Sequence, residues 1–438
     1  MRLNMTRRQL IRRISYASLG LSTPLWLSGC AIDPITGKPT LMLLSREDEI
    51  AIDRQQTPHQ FSADYGITTD AALNRYVAEL GGSISSLSHR ADMPYNFQVV
   101  NANYVNAYAF PGGSIAVTRG ILLELQNEAE LAALLGHEIG HVTARHAGAR
   151  MTQGMLAQAA VGTAVAGLGE STLGGAVGMV GQIGAGALLA RYSRDNERQA
   201  DQLGTDYMAL ANQNPEGMVG LMNMLRSLSD RKPNAIELMF SSHPMSDERY
   251  RNVQQQVSGF SANQRGRDVG RERYMDQTAR LRAMKPAIEA MQEGERLLAQ
   301  RNPQQAEARL LEAVRLAPND YTGLMLAGKF YLVQDKDQEA LGYFDRARQA
   351  MPGEGQAMQY RGLAHLGLER YDRALADFLA YEEVLPGNPG TDFLVGYSYE
   401  KSGSRQNAAQ RYQAFLQKVQ RGDQAEYAYA RLKEWGYV

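Results

Sequence analysis

One cysteine, Cys30, stands in the 438 residues, and the charge is almost cancelled, with 46 basic against 47 acidic side chains. A lone cysteine excludes an intramolecular disulfide, a cysteine-based zinc finger and a CxxC redox pair. A net charge of −1 leaves no overall field with which to grip nucleic acid or acidic lipid. Clear transmembrane helices are missing as well. What is present is ordinary for a folded chain: 44% hydrophobic and 21% charged residues, which excludes wholesale disorder. The length suits roughly two to four domains.

The N-terminus reads as an address. Arg2, Arg7, Arg8, Arg12 and Arg13 precede a short apolar stretch, Ile14 to Leu27, that ends in Leu27-Ser28-Gly29-Cys30. This is a basic region followed by an apolar one too short to stay as a comfortable membrane span. Leu-Ser-Gly-Cys resembles the bacterial lipobox. That resemblance implies that residues 1–29 are a signal peptide and that Cys30 is acylated. A diacylglycerol plus an amide-linked chain anchors stably where a single chain is marginal. Thr6 to Arg12 is similar to a twin-arginine export motif and equally compatible with an ordinary secretory signal. Ala31, in place of an aspartate after the cysteine, points by resemblance to the outer membrane. Residues 30–59 read as a lipidated tether and lead-in, with Pro34 and Gly37 in the tether itself, Ile32 to Lys38.

The C-terminal third repeats. Gly294, Gly328, Gly362 and Gly396 stand 34 residues apart, and Ala306, Ala340, Ala374 and Ala408 keep the same step. So do Leu310, Phe344, Phe378 and Tyr412, while Pro318, Pro352 and Pro386 close three units. The pattern resembles the tetratricopeptide repeat (TPR). A helix pair of this size cannot bury its apolar face alone, so neighbours must stack. Four pairs are expected from about 287 to 422, with a capping helix over Gln424–Trp435, in a TPR domain spanning 287–438 after a linker at 259–286. Such an array offers a surface for proteins or peptides, or acts as a spacer packed on the other domain. His365 shares a column with Leu297, Tyr331 and Tyr399, which makes it a packing residue and not a ligand.

The middle of the chain carries metal chemistry. Asn127 to His146 reads NEAELAALLGHEIGHVTARH, with Leu131, Leu134, Leu135, Ile139 and Val142 at helical spacing. His137 and His141 stand at i and i+4, on one helix face, where two imidazoles can hold one tetrahedral Zn²⁺. Glu138, beside the first of them, is the candidate general base toward water. A third ligand on the same helix would need histidine at 147, and that position is Ala147. His146 lies out of helical phase and is expected at a helix end or in solvent. A second helix supplies the alternative in Asn196-Glu197-Arg198-Gln199-Ala200-Asp201. Glu197 can ligate zinc, and Asp201, one turn on, can accept a hydrogen bond from the His137 imidazole and fix its tautomer.

His-Glu-Ile-Gly-His, Asn-Glu-Arg-Gln-Ala-Asp, and Ser242-His243-Pro244 with Arg249 five residues after the proline together resemble the HtpX/CAAX-prenyl-protease family of zinc metallopeptidases. Asn106 to Gly113, NAYAFPGG, is similar to that family's strand upstream of the zinc helix. The resemblance covers about residues 60–258. It implies a gluzincin peptidase with one Zn²⁺ per chain. The expected fold is mainly α: an α+β metallopeptidase domain with a small edge-strand sheet, then a TPR superhelix. Tyr108 and Phe110 alternate ahead of Pro111, which suits an edge strand. Substrate could add to Asn106, Tyr108, Phe110 and Gly112 as a further strand, unless the stretch is an ordinary core hairpin. His243 could be structural, could donate to the tetrahedral oxyanion, or could take zinc's fourth position and keep water out. Arg249 reads as a structural or charge-balancing partner in the same site.

Gly154 to Ala190 holds ten glycines and one charged residue, Glu170. It reads as a helical hairpin over the cleft rather than a membrane span. The whole then reads as a lipid-anchored periplasmic zinc endopeptidase, on the outer membrane, in quality control or assembly of outer-membrane and periplasmic proteins. Its expected partners are unfolded or stalled clients and, through the TPR array, assembly machinery, with no nucleic acid. The competing reading is a non-proteolytic or latent TPR scaffold or chaperone. A membrane-embedded prenyl-type protease is disfavoured by the missing spans.

Overall fold

The computed structural model describes residues 30–154, 192–231 and 233–438. The signal peptide expected at 1–29 and nearly all of the glycine-rich hairpin lie outside them. Among the described residues, no helix is long and apolar enough to cross a membrane.

The stretch read as a tether is a hairpin. Strand β1 (Cys30–Ile32) pairs antiparallel with β2 (Pro39–Leu41), Cys30 opposite Leu41. The Asp33 carboxylate accepts from the amides of Ile35 at 2.7 Å and Thr36 at 3.0 Å, and Gly37 takes φ +66°. An aspartate that folds its own turn and a glycine in the left-handed region close the hairpin locally. The lead-in is likewise part of the fold. Helix α1 (Arg46–Ala63) opens on a Ser45/Asp48 capping box. Its fully buried Glu49 is held by Arg90 at 2.8 Å and Arg145 at 3.0 Å.

Helix α2 (Ala71–Ser85) lies against a three-stranded sheet of β3 (Asn96–Val100), β4 (Ala107–Ala109) and β5 (Ser114–Thr118), in the order β3-β5-β4. β3 runs parallel to β5 and β4 antiparallel to it. β4 is thus an edge strand, with alternating sides: Tyr108 and Phe110 pack with Ile52 and Phe61, while Ala107 and Ala109 join the main core. Helices α3 (Arg119–Glu124), α4 (Glu128–Thr143), α5 (Arg194–Leu210), α6 (Glu216–Arg231), α7 (Pro233–Ser242) and α8 (Asp247–Ser258) complete the domain. Every residue of α4 is buried, so it is the central helix of the core.

The segment after α8 is packed rather than free. Tyr274 is fully buried and its hydroxyl donates to the Leu122 carbonyl at 2.6 Å, and Leu281 joins the same core. Then come α9 (Lys285–Ala299), α10 (Pro303–Leu316), α11 (Tyr321–Leu332), α12 (Asp337–Ala350), α13 (Gly355–Gly367), α14 (Tyr371–Val384), α15 (Pro389–Lys401), α16 (Arg405–Lys418) and α17 (Asp423–Trp435). This is the TPR array: four helix pairs and a last helix. The repeat columns have a direct physical reason. A Cβ on Gly328 would meet the Phe344 ring at 2.4 Å, and one on Gly362 the Phe378 ring at 2.6 Å. Glycine lets the paired helices close over a buried aromatic ring. The fold is therefore mainly α, an α+β domain followed by a helical superhelix. His365 is buried within the array, as its column implies.

The array docks on the first domain through the leading helices of its first three pairs. Gln292 donates to the Asn103 carbonyl at 2.6 Å, the Thr322 hydroxyl to the Asn101 carbonyl at 3.0 Å, and Gln356 to the Ser62 carbonyl.

Candidate metal centre

Two helices make the site, and two glycines let them meet. A Cβ on Gly204 of α5 would lie 2.6 Å from the His137 backbone nitrogen, and one on Gly136 of α4 would lie 2.7 Å from the Gly204 carbonyl. One turn on, Gly140 meets Ala200 in the same way. Small residues at this crossing bring His137, Glu138 and His141 of α4 against Glu197 and Asp201 of α5. The start of α5 is fixed by a Ser193/Asn196 capping box, which sets Glu197 in its first turn.

The side chains converge as the two motifs predict. His141 Nε2 lies 3.1 Å from His137 Nε2 and 3.3 Å from Glu197 Oε1. His243, just past α7, brings Nδ1 to 3.1 Å from Glu197 Oε1 and 3.4 Å from His137 Nε2. One ligand atom from each of His137, His141, Glu197 and His243 falls within 4.8 Å of the others, and all four residues are buried. Asp201 Oδ1 lies 2.9 Å from His137 Nδ1, on the side of the ring away from the cluster. Arg249 takes Asp201 in a two-pronged pair, Nε to Oδ2 and Nη2 to Oδ1 both at 2.7 Å, and reaches Glu197 Oε2 at 2.7 Å.

These groups set one another's protonation. Burial opposes ionisation of Glu197, but His243 and the hydrogen bonds from His141 and His243 outweigh it and hold the carboxyl well below the usual range. Burial also works against Asp201, and Arg249 overcomes it, keeping Asp201 ionised. Burial pushes the Glu138 carboxyl up, with His243 and His137 offsetting only part of the effect. For His141 burial dominates and keeps the imidazole neutral, the state a metal ligand needs.

The residues fit a zinc ion. Three imidazoles and a carboxylate are an N/O donor set of the kind Zn²⁺ takes. Both Glu138 carboxylate oxygens are buried with no hydrogen-bond partner among the described residues, an arrangement too costly for a purely structural group.

Residues 71–257 match the model of Peptidase family M48. The chain carries an M48 peptidase domain. A beta-barrel assembly-enhancing protease of Yersinia pestis is 28% identical over 53% of this chain and 48% of its own length. The Escherichia coli K12 protein of that name is 26% identical over 42% of this chain and 38% of its own. Metalloprotease YcaL of Escherichia coli K12 is 28% identical over 49% of this chain and 82% of its own length. The chain thus spans less than half the length of the two barrel-assembly relatives.

The M48 domain departs from the sequence reading at His146. Helical phase put it at a helix end or in solvent. Instead α4 stops at Thr143, Arg145 turns the backbone to φ +57°, and His146 swings back, buried, with Nδ1 2.9 Å from His141 Nδ1. Tyr192 lies in no motif that marks it, yet its ring stacks on His141 at 3.9 Å, and Arg150 lies 4.5 Å over the Tyr192 ring. The side chains of the expected substrate strand point inward. Asn106 is buried, with its backbone N–H donating to the Thr118 hydroxyl at 3.1 Å, the Tyr108 hydroxyl bonds Asp64, and a Cβ on Gly112 would lie 2.5 Å from the Asp53 side chain. The end of that strand does reach the centre, because Ala109 and Phe110 line a crevice with His141 and Tyr192.

Proposed function

We propose that this chain is a zinc metalloendopeptidase, lipid-anchored at Cys30, that acts on outer-membrane or periplasmic proteins. The observation that carries the reading is the buried donor cluster of His137, His141, Glu197 and His243 beside the Glu138 carboxylate, which accepts no hydrogen bond among the described residues. Zinc there would supply Lewis-acid polarisation of water and of the scissile carbonyl. Glu138 takes the proton from the attacking water and delivers it to the leaving amine. Its burial raises its proton affinity, which suits a base working near neutral pH. Asp201 orients His137, and Arg249 keeps Asp201 and Glu197 charged and in place.

His243 takes the fourth donor position in the resting protein, so the peptidase is latent until α7 and the loop after it move. Substrate is an extended, unfolded segment gripped by backbone hydrogen bonds along β4, because the side chains of that strand are committed to the core. The names of the barrel-assembly relatives support an outer-membrane client, and the TPR array supports recruitment by protein contacts. Glu138→Gln tests the chemistry. It should keep zinc and lose cleavage of an unfolded outer-membrane protein by roughly 10²–10⁴-fold. Equal cleavage by both proteins would reject the mechanism. If neither cleaves yet both bind the client, and His243→Ala does not cleave either, the scaffold reading stands instead. Cys30→Ser tests the anchor and should move the chain out of the membrane fraction.

A further inference from the structure

His146 takes no part in that chemistry, yet it is 3% exposed and makes two contacts through its two ring nitrogens. The Nε2 atom of His141 faces Glu197 and His137. Resting on the reading that His137, His141 and Glu197 hold zinc, that nitrogen must be bare to ligate. The His141 proton is then on Nδ1. Nδ1 of His141 lies 2.9 Å from Nδ1 of His146, so His141 donates and His146 accepts. The His146 proton is thereby forced onto Nε2, which lies 3.0 Å from the Gln199 side-chain oxygen. An amide oxygen can only accept, so every donor and acceptor in the chain matches in one direction.

We infer that His146 is a positioning residue that fixes the tautomer and ring angle of the His141 ligand through a His141–His146–Gln199 relay. The relay begins on α4 and ends on α5, between Glu197 and Asp201, so it also ties the two ligand helices together across the site. Tyr192, stacked on the His141 ring, holds the same imidazole from its face. The two histidine ligands are therefore oriented by different chemistry: His137 by a charged carboxylate, His141 by a neutral imidazole backed by an amide.

The test is zinc affinity of the full chain, measured by competition with a chromogenic chelator, beside the melting temperature of the metal-free protein. His146→Phe keeps an aromatic ring and removes the acceptor; zinc binding should weaken by roughly 10–100-fold. His146→Asn places an oxygen where Nδ1 was, and affinity should stay within about threefold of wild type. Gln199→Leu leaves His146 in place but removes its outer acceptor, and should give an intermediate loss. Metal-free melting should be the same for the Phe and Asn variants. Wild-type affinity in all three variants overturns the relay. So does equal loss in the Phe and Asn variants that follows their metal-free melting, which would make His146 a packing residue. If His146→Phe fails to fold, Gln199→Leu decides alone, and wild-type affinity there rejects the inference. A wild-type protein that binds no zinc would instead reject the metal reading beneath it.

Discussion

Arg119 of the peptidase domain and Asp320 of the TPR array form a two-pronged ion pair, Nη1 to Oδ1 at 2.7 Å and Nη2 to Oδ2 at 3.1 Å, with side chains only 4% and 8% exposed. Asp320 also caps α11 through the Gly323 amide at 2.9 Å, and Arg119 is braced by Asn103 at 2.7 and 3.0 Å. The pair therefore fixes both the position of the array and the start of one of its helices. Removing one member of such a buried pair leaves a stranded charge, at a cost of about 3–5 kcal/mol. Arg119→Ala should therefore loosen the array from the peptidase domain without unfolding either. Small-angle scattering should report a larger radius of gyration, and limited proteolysis should cut the connection near Lys285. An unchanged radius would show that the remaining contacts carry the docking.

Lys329 gives the same seam a pH dependence. It lies 4.5 Å from the ring centres of both Tyr65 and Tyr360 and donates to the Gln356 side-chain oxygen at 2.7 Å. Burial lowers its pKa from 10.5 to about 8, with Glu295 and Glu354 only partly opposing. Between those two values the unfolded chain binds more protons than the folded one, so this residue's contribution to stability rises with pH. Its penalty is fully present below about pH 8 and gone above 10.5. Denaturant unfolding of wild type and Lys329→Met from pH 7 to 10.5 should show wild type gaining on the variant as pH rises. Parallel curves would refute it.

What the sequence reveals and what it conceals divides by distance along the chain. His137/His141 and Glu197/Asp201 are legible because an i, i+4 spacing on a helix is a local statement about one face. The TPR pairs are legible because a 34-residue period repeats the same packing of a glycine against a large apolar side chain, Leu310 in the first pair and Phe344, Phe378 and Tyr412 in the next three. His146 is misread because helical phase assumes that the helix continues, and the stop comes from a non-glycine residue, Arg145, in the left-handed region. The hairpin within the tether is hidden for a related reason: Pro34 and Gly37 signal irregular chain equally well in a linker and in a hairpin turn. The docking of the array is invisible beforehand, because three of its acceptors are the carbonyls of Ser62, Asn101 and Asn103, which any residue would provide, and because Arg119 and Asp320 stand 201 residues apart with no local pattern that pairs them. The α4–α5 crossing depends on Gly136 and Gly204, and neither helix alone announces its partner.

His243 offers the sharpest test of latency. It is buried and near enough to Glu197 and His137 to share their ligand, while its Nε2 is 3.9 Å from Glu138 Oε1. Burial disfavours its charged form, yet Glu197 and Glu138 together raise its pKa, so it sits where it can compensate two carboxylates. A group donating to an oxyanion would help turnover, and one filling the fourth position would oppose it. His243→Ala should therefore keep zinc and raise cleavage of an unfolded client. A site open about one tenth of the time gains about tenfold when the block is removed. Mass spectrometry of digests at matched zinc occupancy reads the change directly. A fall in cleavage with zinc retained would assign His243 to the oxyanion instead, and a loss of zinc would make it an ordinary fourth ligand.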